Sequence, residues 1–168
     1  MKSIDPNGLQ KHKVVPGTNE YRQISEAINL IGTEDPEAAK YLRELLEGGH
    51  IFVGDEMEDY AKSDGEDITL NQELIGCSPI VESQYKKDKY VIAASLVHEY
   101  THMKQGRWWK IFHPTQKEDE AWAAEMHFMI QLFTRVGNTL EDKKIIWSLF
   151  LEQYDGWLVL TGVRDKVK

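Results

Sequence analysis

The chain has 168 residues and a mass of 19.4 kDa, the size of one ordinary domain, and 41% of its residues are hydrophobic. Its 20 Lys and Arg residues against 28 Asp and Glu residues give a net charge of −8, which repels nucleic-acid phosphates and anionic lipid head groups. This charge argues against a nucleic-acid or membrane partner, and the five Trp, seven Tyr and five Phe residues argue against a disordered acidic chain.

The pattern of hydropathy predicts neither a membrane span nor a signal peptide. Apolar stretches fall short of the ~18 residues that a membrane helix needs, and the opening MKSIDPNGLQKHK has no apolar run after its positive charges. The lone Cys77 is compatible with a reducing compartment. We therefore expect a cytoplasmic protein, or one exported without a signal peptide.

The first part of the chain predicts an arm followed by two helices. Residues 1–18 contain scattered Gly and Pro and are expected to form an irregular N-terminal arm, with one domain over residues 19–168. Apolar residues at helical spacing predict a helix over Glu20–Ile31. Pro36 among acidic residues marks the start of a second helix, which ends before Gly48-Gly49.

The middle of the chain favours short strands. His50–Val53 and Asp67–Asn71 have the β-branched and alternating residues of strands. Gln72–Asp88 carries loop signals, with at most a short strand near Ile80-Val81.

The second half predicts three helices, over Tyr90–Gln105, Lys117–Val136 and Leu140–Tyr154. Thr139 with Asp142 resembles an acidic capping box at the start of the last one. The tail Trp157–Thr161 fits either a short strand or a packed extension. A helical start, short strands and then helices indicate an α+β fold.

The residues that indicate chemistry are His98-Glu99-Tyr100-Thr101-His102, an HExxH pentad inside a predicted helix. Histidines four residues apart lie about 40° apart around a helix and one turn apart along it, so both imidazoles can reach one metal ion. Glu99 lies about 100° from His98, where a carboxylate can take a proton from water. Chance gives about 0.02 such pentads in a chain of this composition, so a surface helix with two accidental histidines is the weaker interpretation.

A catalytic zinc site usually takes a third protein ligand. Glu118 and Glu125 fall near the apolar stripe of the following helix, where a carboxylate needs a partner, whereas Glu120 falls on the opposite side. We therefore predict Glu118 as the third ligand. Glu125 is either the partner of a ligand imidazole or the alternative ligand, and Glu120 is expected to be solvated unless the helix begins later.

An HExxH motif followed by a Glu-x-x-Ala helix resembles the gluzincin metallopeptidases, particularly the minimal single-domain kind, with Glu118-Asp119-Glu120-Ala121 as the second motif. The resemblance covers about Tyr90 to Val136. Two features depart from it: Trp122 stands where many relatives have Asp or Asn, and Glu120 also precedes an alanine by three residues, so the alignment admits a shift.

The resemblance implies a small zincin-like domain with one zinc per chain, held by His98, His102 and Glu118, and Glu99 as general base in the hydrolysis of a peptide or protein substrate. It also implies an edge strand that pairs with the substrate, for which Ile68–Asn71 is the candidate, although an interior strand fits that segment as well. Residues that could steady the oxyanion are His127, His113, Tyr154 and Arg164.

Two other functions fit the same residues. One is a binding or regulatory module that keeps zinc but has lost turnover. The other is a latent protease blocked by its own arm, Met1–Thr18.

The sequence also offers two adjacent tryptophans after the HExxH helix. Trp108-Trp109 would form either a substrate pocket wall or part of the core.

Overall fold

A computed structural model describes residues 2–4, 10–55, 57–75, 82–106, 114–135 and 138–160. These residues form an α+β fold with one mixed sheet and five α-helices, as the sequence predicts. The strands are β1 (Lys2–Ile4), β2 (Gln10–Lys13), β3 (Ile51–Gly54), β4 (Ala61–Ser63) and β5 (Ile68–Asn71). The helices are α1 (Asn19–Ile31), α2 (Pro36–Gly48), α3 (Glu82–Lys104), α4 (Pro114–Thr134) and α5 (Leu140–Leu160), with a 3-10 turn at Gln72–Leu74.

The sheet has the strand order β1-β2-β3-β5-β4, with β3 and β5 parallel and the other pairs antiparallel. Two roles were predicted for Ile68–Asn71, a substrate-binding edge strand or an interior strand, and the structure has the interior strand. All four of its residues are buried, and the polar Thr69 and Asn71 are nearly as well covered as the apolar Ile68 and Leu70 with which they alternate. The edge strand next to β5 is β4.

The N-terminal arm is only partly irregular: its described residues include two strands, whereas residues 14–18 have neither strand nor helix. It contributes β1 and β2, and β2 pairs with β3 so that His12 lies opposite Val53. Strand pairing between distant segments leaves little trace in local patterns, which explains why the arm was not predicted as β-structure. These strands lie at the opposite side of the sheet from β4, so the described part of the arm is not positioned as a plug beside that edge.

Helices α1 and α2 form where the sequence predicts them. The Thr18 hydroxyl accepts a hydrogen bond from the Tyr21 amide, and Asp35 caps α2 in the same way. Helix α2 ends in a Schellman motif in which Gly49 has a φ of 75°, a left-handed conformation that glycine adopts without strain. One hydrophobic cluster joins the buried faces of α1, α2 and α3 to the inward side chains of β3 and β5.

Helix α3 begins at Glu82, well before the predicted start at Tyr90, so the end of the Gln72–Asp88 segment is helical rather than loop. This first part of α3 is polar and has no apolar periodicity. Its described contacts are polar too, such as the hydrogen bond that the Tyr85 hydroxyl donates to Glu26 on α1 at 2.8 Å. The strand considered at Ile80-Val81 lies outside the described residues.

Helix α5 extends beyond its predicted end at Tyr154, and Trp157–Leu160 continue it as helix rather than as strand. The predicted capping box is confirmed. The Thr139 hydroxyl accepts from the Asp142 amide at 3.1 Å, and an Asp142 carboxylate oxygen accepts from the Thr139 amide at 3.1 Å. Among the described helices, none combines the length and the apolar character that a membrane crossing requires.

The capping box gives a prediction about stability. Thr139→Ala should lower the free energy of unfolding by about 1 kcal/mol and the Tm by roughly 2–4 °C, because an amide at the helix start loses its acceptor. Thr139→Ser keeps the hydroxyl and is the matched control. Thermal unfolding measured by circular dichroism checks the prediction, and equal melting temperatures for the Ala variant and the wild type would contradict it.

Candidate metal centre

Helix α3 brings the two predicted imidazoles together. The ring centroids of His98 and His102 are 4.8 Å apart, and their Nε2 atoms approach to 3.1 Å. Both side chains are largely buried, with 13% and 11% of their surfaces exposed. The spacing of one helical turn therefore directs both Nε2 atoms toward one point, as the motif predicts.

Helix α4 brings the Glu118 carboxylate to the same point. Its Oε2 atom lies 3.2 Å from His102 Nε2 and 3.6 Å from His98 Nε2, and its Oε1 atom lies 3.3 Å from the ammonium group of Lys117. Among the described residues, these three side chains form the only group of His, Cys, Asp and Glu arranged to hold a metal ion. Glu118, the first choice from sequence, thus lies in the cluster.

Glu125 lies on the other side of the His98 ring. The Nδ1 atom of His98 donates a hydrogen bond to Glu125 Oε2 at 3.1 Å, and this carboxylate is only 3% exposed. A carboxylate can only accept, so Nδ1 carries the hydrogen and the Nε2 lone pair of the neutral ring faces the cluster. Trp122 packs edge-on against the same ring, with centroids 5.1 Å apart. Glu125 therefore lies where it can act as the hydrogen-bond partner of the His98 imidazole, one of the two roles considered from the sequence.

Glu120 does not reach the imidazoles. Its Oε2 atom accepts a hydrogen bond from the amide of Gln105 at 2.9 Å, and its side chain is exposed. The oxygen of the same Gln105 amide lies 3.1 Å from His102 Nδ1. Gln105 was not identified from sequence, although its position three residues after His102, at the end of the predicted helix, was a usable signal.

The converging atoms fit a zinc ion. Zinc bonds of about 2.0–2.2 Å at tetrahedral angles place ligand atoms roughly 3.3–3.6 Å apart. The three separations here are 3.1, 3.2 and 3.6 Å. When both rings are neutral and carry their hydrogen on Nδ1, the two Nε2 atoms and the carboxylate oxygen all offer lone pairs, so a shared cation would satisfy all three.

The charges around the cluster shift two pKa values. Burial of His98 opposes its protonation, but the hydrogen bond and charge of Glu125, with the charges of Glu99 and Glu118, outweigh burial and raise the pKa of His98. Burial also opposes ionisation of Glu118, yet the charge of His102 and the contacts of Lys117 hold the pKa of Glu118 below its ordinary value. Glu118 is therefore an anion at neutral pH.

The cluster opens into a cleft of about 1100 Å³ between α3, the start of α4 and the segment around β4. All three cluster residues line it, together with Glu99, Ser95 and Tyr60. The Glu99 carboxylate is 6% exposed and lies outside the group of converging atoms. A buried carboxylate thus borders the cleft next to the cluster, where the HExxH spacing predicts it.

The edge strand β4 lines the same cleft. Tyr60 pairs with β5 through its carbonyl, which accepts from the Asn71 amide at 2.9 Å. Because residues of an antiparallel strand bond alternately to either side, Ala61 and Ser63 direct their backbone N–H and C=O groups away from β5. Asn71, buried in β5, also donates from its side chain to two carbonyls before β4 and so fixes the approach to the strand.

Among the other sequence candidates, the structure describes the side chain of His127 alone, and it lies away from the cleft. His127 lines a second cavity of about 560 Å³, bordered by α3 and α4, and is not among the residues of the cleft. His113, Arg164 and Trp108-Trp109 lie outside the described residues, as does the side chain of Tyr154.

The His98–Glu125 pair gives a prediction for the metal-free protein. Glu125→Gln should lower the pKa of His98, because the variant removes the main group that outweighs burial. The folded pKa lies above the ordinary value of 6.5, so the pair stabilises the fold below that pH and this contribution is lost as the pH rises through the folded pKa. NMR titration measures the shift, with Glu120→Gln as the control variant. An unchanged pKa of His98 would contradict this account.

Comparison with known proteins adds no relative. No protein-family model matches the chain, and searches of curated proteins and of solved structures also find no match. The resemblance to gluzincins therefore stays a prediction from the HExxH and Glu-x-x-Ala residues of the sequence.

Proposed function

We propose that the protein is a zinc-dependent metallopeptidase of the gluzincin type, built on a small zincin-like domain, that hydrolyses peptide bonds. The observation that carries this proposal is the convergence of His98 Nε2, His102 Nε2 and Glu118 Oε2 in a cleft that Glu99 also lines. The same residues were singled out by their spacing in sequence, so pattern and geometry agree.

Zinc suits this donor set. Imidazole nitrogen and carboxylate oxygen are zinc ligands, and three protein ligands are typical of catalytic sites, whereas structural sites usually have four, mostly Cys. Within the described residues no fourth side chain joins the cluster. We therefore propose one zinc per chain, held by His98, His102 and Glu118, with Glu125 acting through His98.

Glu99 supplies the proton transfers of the proposed reaction. When bound, zinc lowers the pKa of water and polarises a carbonyl group. Glu99 accepts a proton from the attacking water and returns it to the leaving amine, which is the role of a general base that then acts as a general acid.

The substrate of the proposed enzyme is an extended peptide that lies antiparallel to β4. The outward backbone groups of Ala61 and Ser63 can form the main-chain hydrogen bonds of such an added strand. This places the peptide along the wall of the cleft that holds the cluster.

The alternative, a zinc-containing binding or regulatory module, does not account for Glu99. A module without turnover has no use for a buried carboxylate beside the zinc ligands, and burying it carries an energetic cost. The latent protease is less favoured as well, because the described strands of the arm lie at the far side of the sheet.

The activity is tested with zinc-loaded protein and a pool of quenched fluorescent peptides. Glu99→Gln should keep one zinc per chain and lose about 10²–10⁴-fold in cleavage rate, because the general base is removed while the ligands remain. Glu47→Gln, on the exposed surface of α2, is the control. Cleavage by Glu99→Gln at the wild-type rate would remove Glu99 from this role, and no cleavage by the wild type would contradict the peptidase.

The third ligand is tested by zinc affinity, measured by competition with a chelator. Glu118→Ala should weaken binding by more than the roughly 10–100-fold that loss of an outer partner costs, because it removes a ligand atom. Glu120→Ala should have the smaller effect, since its carboxylate contacts Gln105 rather than the cluster. The opposite ranking would show that Glu118 is not the ligand.

A further inference from the structure

The side-chain amide of Gln105 connects the end of α3 to the start of α4. Its Nε2 atom lies 3.0 Å from the backbone carbonyl of Lys117 and 2.9 Å from Glu120 Oε2. Its Oε1 atom lies 3.1 Å from Nδ1 of His102. The neutral amide of Gln105 thus contacts both proposed zinc-binding segments: His102 at the end of α3, and Lys117, which precedes the ligand Glu118 on α4.

The partners of Gln105 determine which way the amide faces. A carbonyl and a carboxylate can only accept hydrogen bonds, so the NH₂ group must face Lys117 and Glu120. The amide oxygen then faces His102, and an oxygen can only accept. The hydrogen of the neutral His102 ring therefore resides on Nδ1, which leaves the Nε2 lone pair directed at the cluster.

We propose that Gln105 is a positioning residue that selects the metal-binding tautomer of His102 and fixes it relative to α4. The proposal rests on the proposed zinc site, and it extends that site to a residue that acts only through another. Gln105 and Glu120 line the second cavity and are not among the residues of the cleft. Gln105 therefore has no direct route to a substrate in the cleft and acts on the site through His102.

The two imidazoles are thus held in different ways. His98 donates to the buried anion Glu125, and His102 donates to the neutral oxygen of Gln105. A neutral acceptor orients the ring without adding a further negative charge beside Glu99, Glu118 and Glu125. Glu120 stays outside the cluster and secures the amide from the exposed side.

The test uses the full chain and two variants with a control. Gln105→Met has similar length and makes none of these hydrogen bonds. The exchange variant combines Gln105→Glu with Glu120→Gln. Residue 105 then still offers an oxygen that accepts from His102, and the hydrogen bond between positions 105 and 120 forms with the donor at position 120. The hydrogen bond to the Lys117 carbonyl is lost. Gln131→Met, another cavity residue of α4, controls for the loss of a glutamine.

The first readout is the tautomer of His102 in the metal-free protein, from ¹⁵N chemical shifts of the neutral ring. We expect the hydrogen on Nδ1 in the wild type, the exchange variant and Gln131→Met, and loss of that preference in Gln105→Met. The second readout is zinc affinity by chelator competition. Gln105→Met should bind about 10–100-fold more weakly, as expected for loss of an outer partner, and the exchange should recover most of the affinity.

The outcomes separate this inference from the proposed function. A wild-type His102 with its hydrogen on Nε2, or a Gln105→Met variant with unchanged tautomer and zinc affinity, would overturn the inference and leave the peptidase proposal intact. The expected pattern without any peptide cleavage would support the role of Gln105 and contradict the activity. A wild-type protein that binds no zinc would overturn both.

Discussion

Three lone pairs from two helices face one point in this protein, and the rest of the site depends on that contact. The Nε2 atoms of His98 and His102 approach that point from α3, and the Glu118 carboxylate approaches it from α4. On another face of α3, Ile92 and Leu96 are fully buried in the core, which fixes the rotation of the helix about its axis. By packing against α3, the sheet, α1 and α2 thus determine the direction in which the two imidazoles point.

The cleft combines this cluster with a strand edge, and the order of the strands makes the combination possible. Because β5 lies inside the sheet, the short β4 is left beside α3, with one side paired and one side directed outward. The buried Asn71 holds the turn before β4 and so couples the interior strand to the edge. The metal cluster and the outward strand edge then lie along one cleft, which is what the proposed activity requires.

The sequence was informative where the signal is local. The HExxH spacing, the start of α2 at Pro36 and the Thr139 capping box each depend on residues within one or two helical turns, and the structure has all three. The helix projection also separated Glu118 from Glu120, because both the core contact and the metal cluster demand the same face of α4.

The sequence was uninformative where distant segments decide. β1 and β2 form by pairing with each other and with β3, and β4 is three residues long, too short for a period to be visible. The first turns of α3 are polar, and their described contacts are polar side chains of α1 and α5. Gln105 is significant only because α4 brings Lys117 and Glu120 to its amide, a contact that no local pattern encodes.

The most direct test of the central claim is a crystal structure of the zinc-loaded protein with anomalous diffraction at the zinc edge. The account predicts one zinc bound by His98 Nε2, His102 Nε2 and Glu118, with one position open to the cleft. A zinc enclosed by four protein ligands, or no zinc between the two imidazoles, would contradict it.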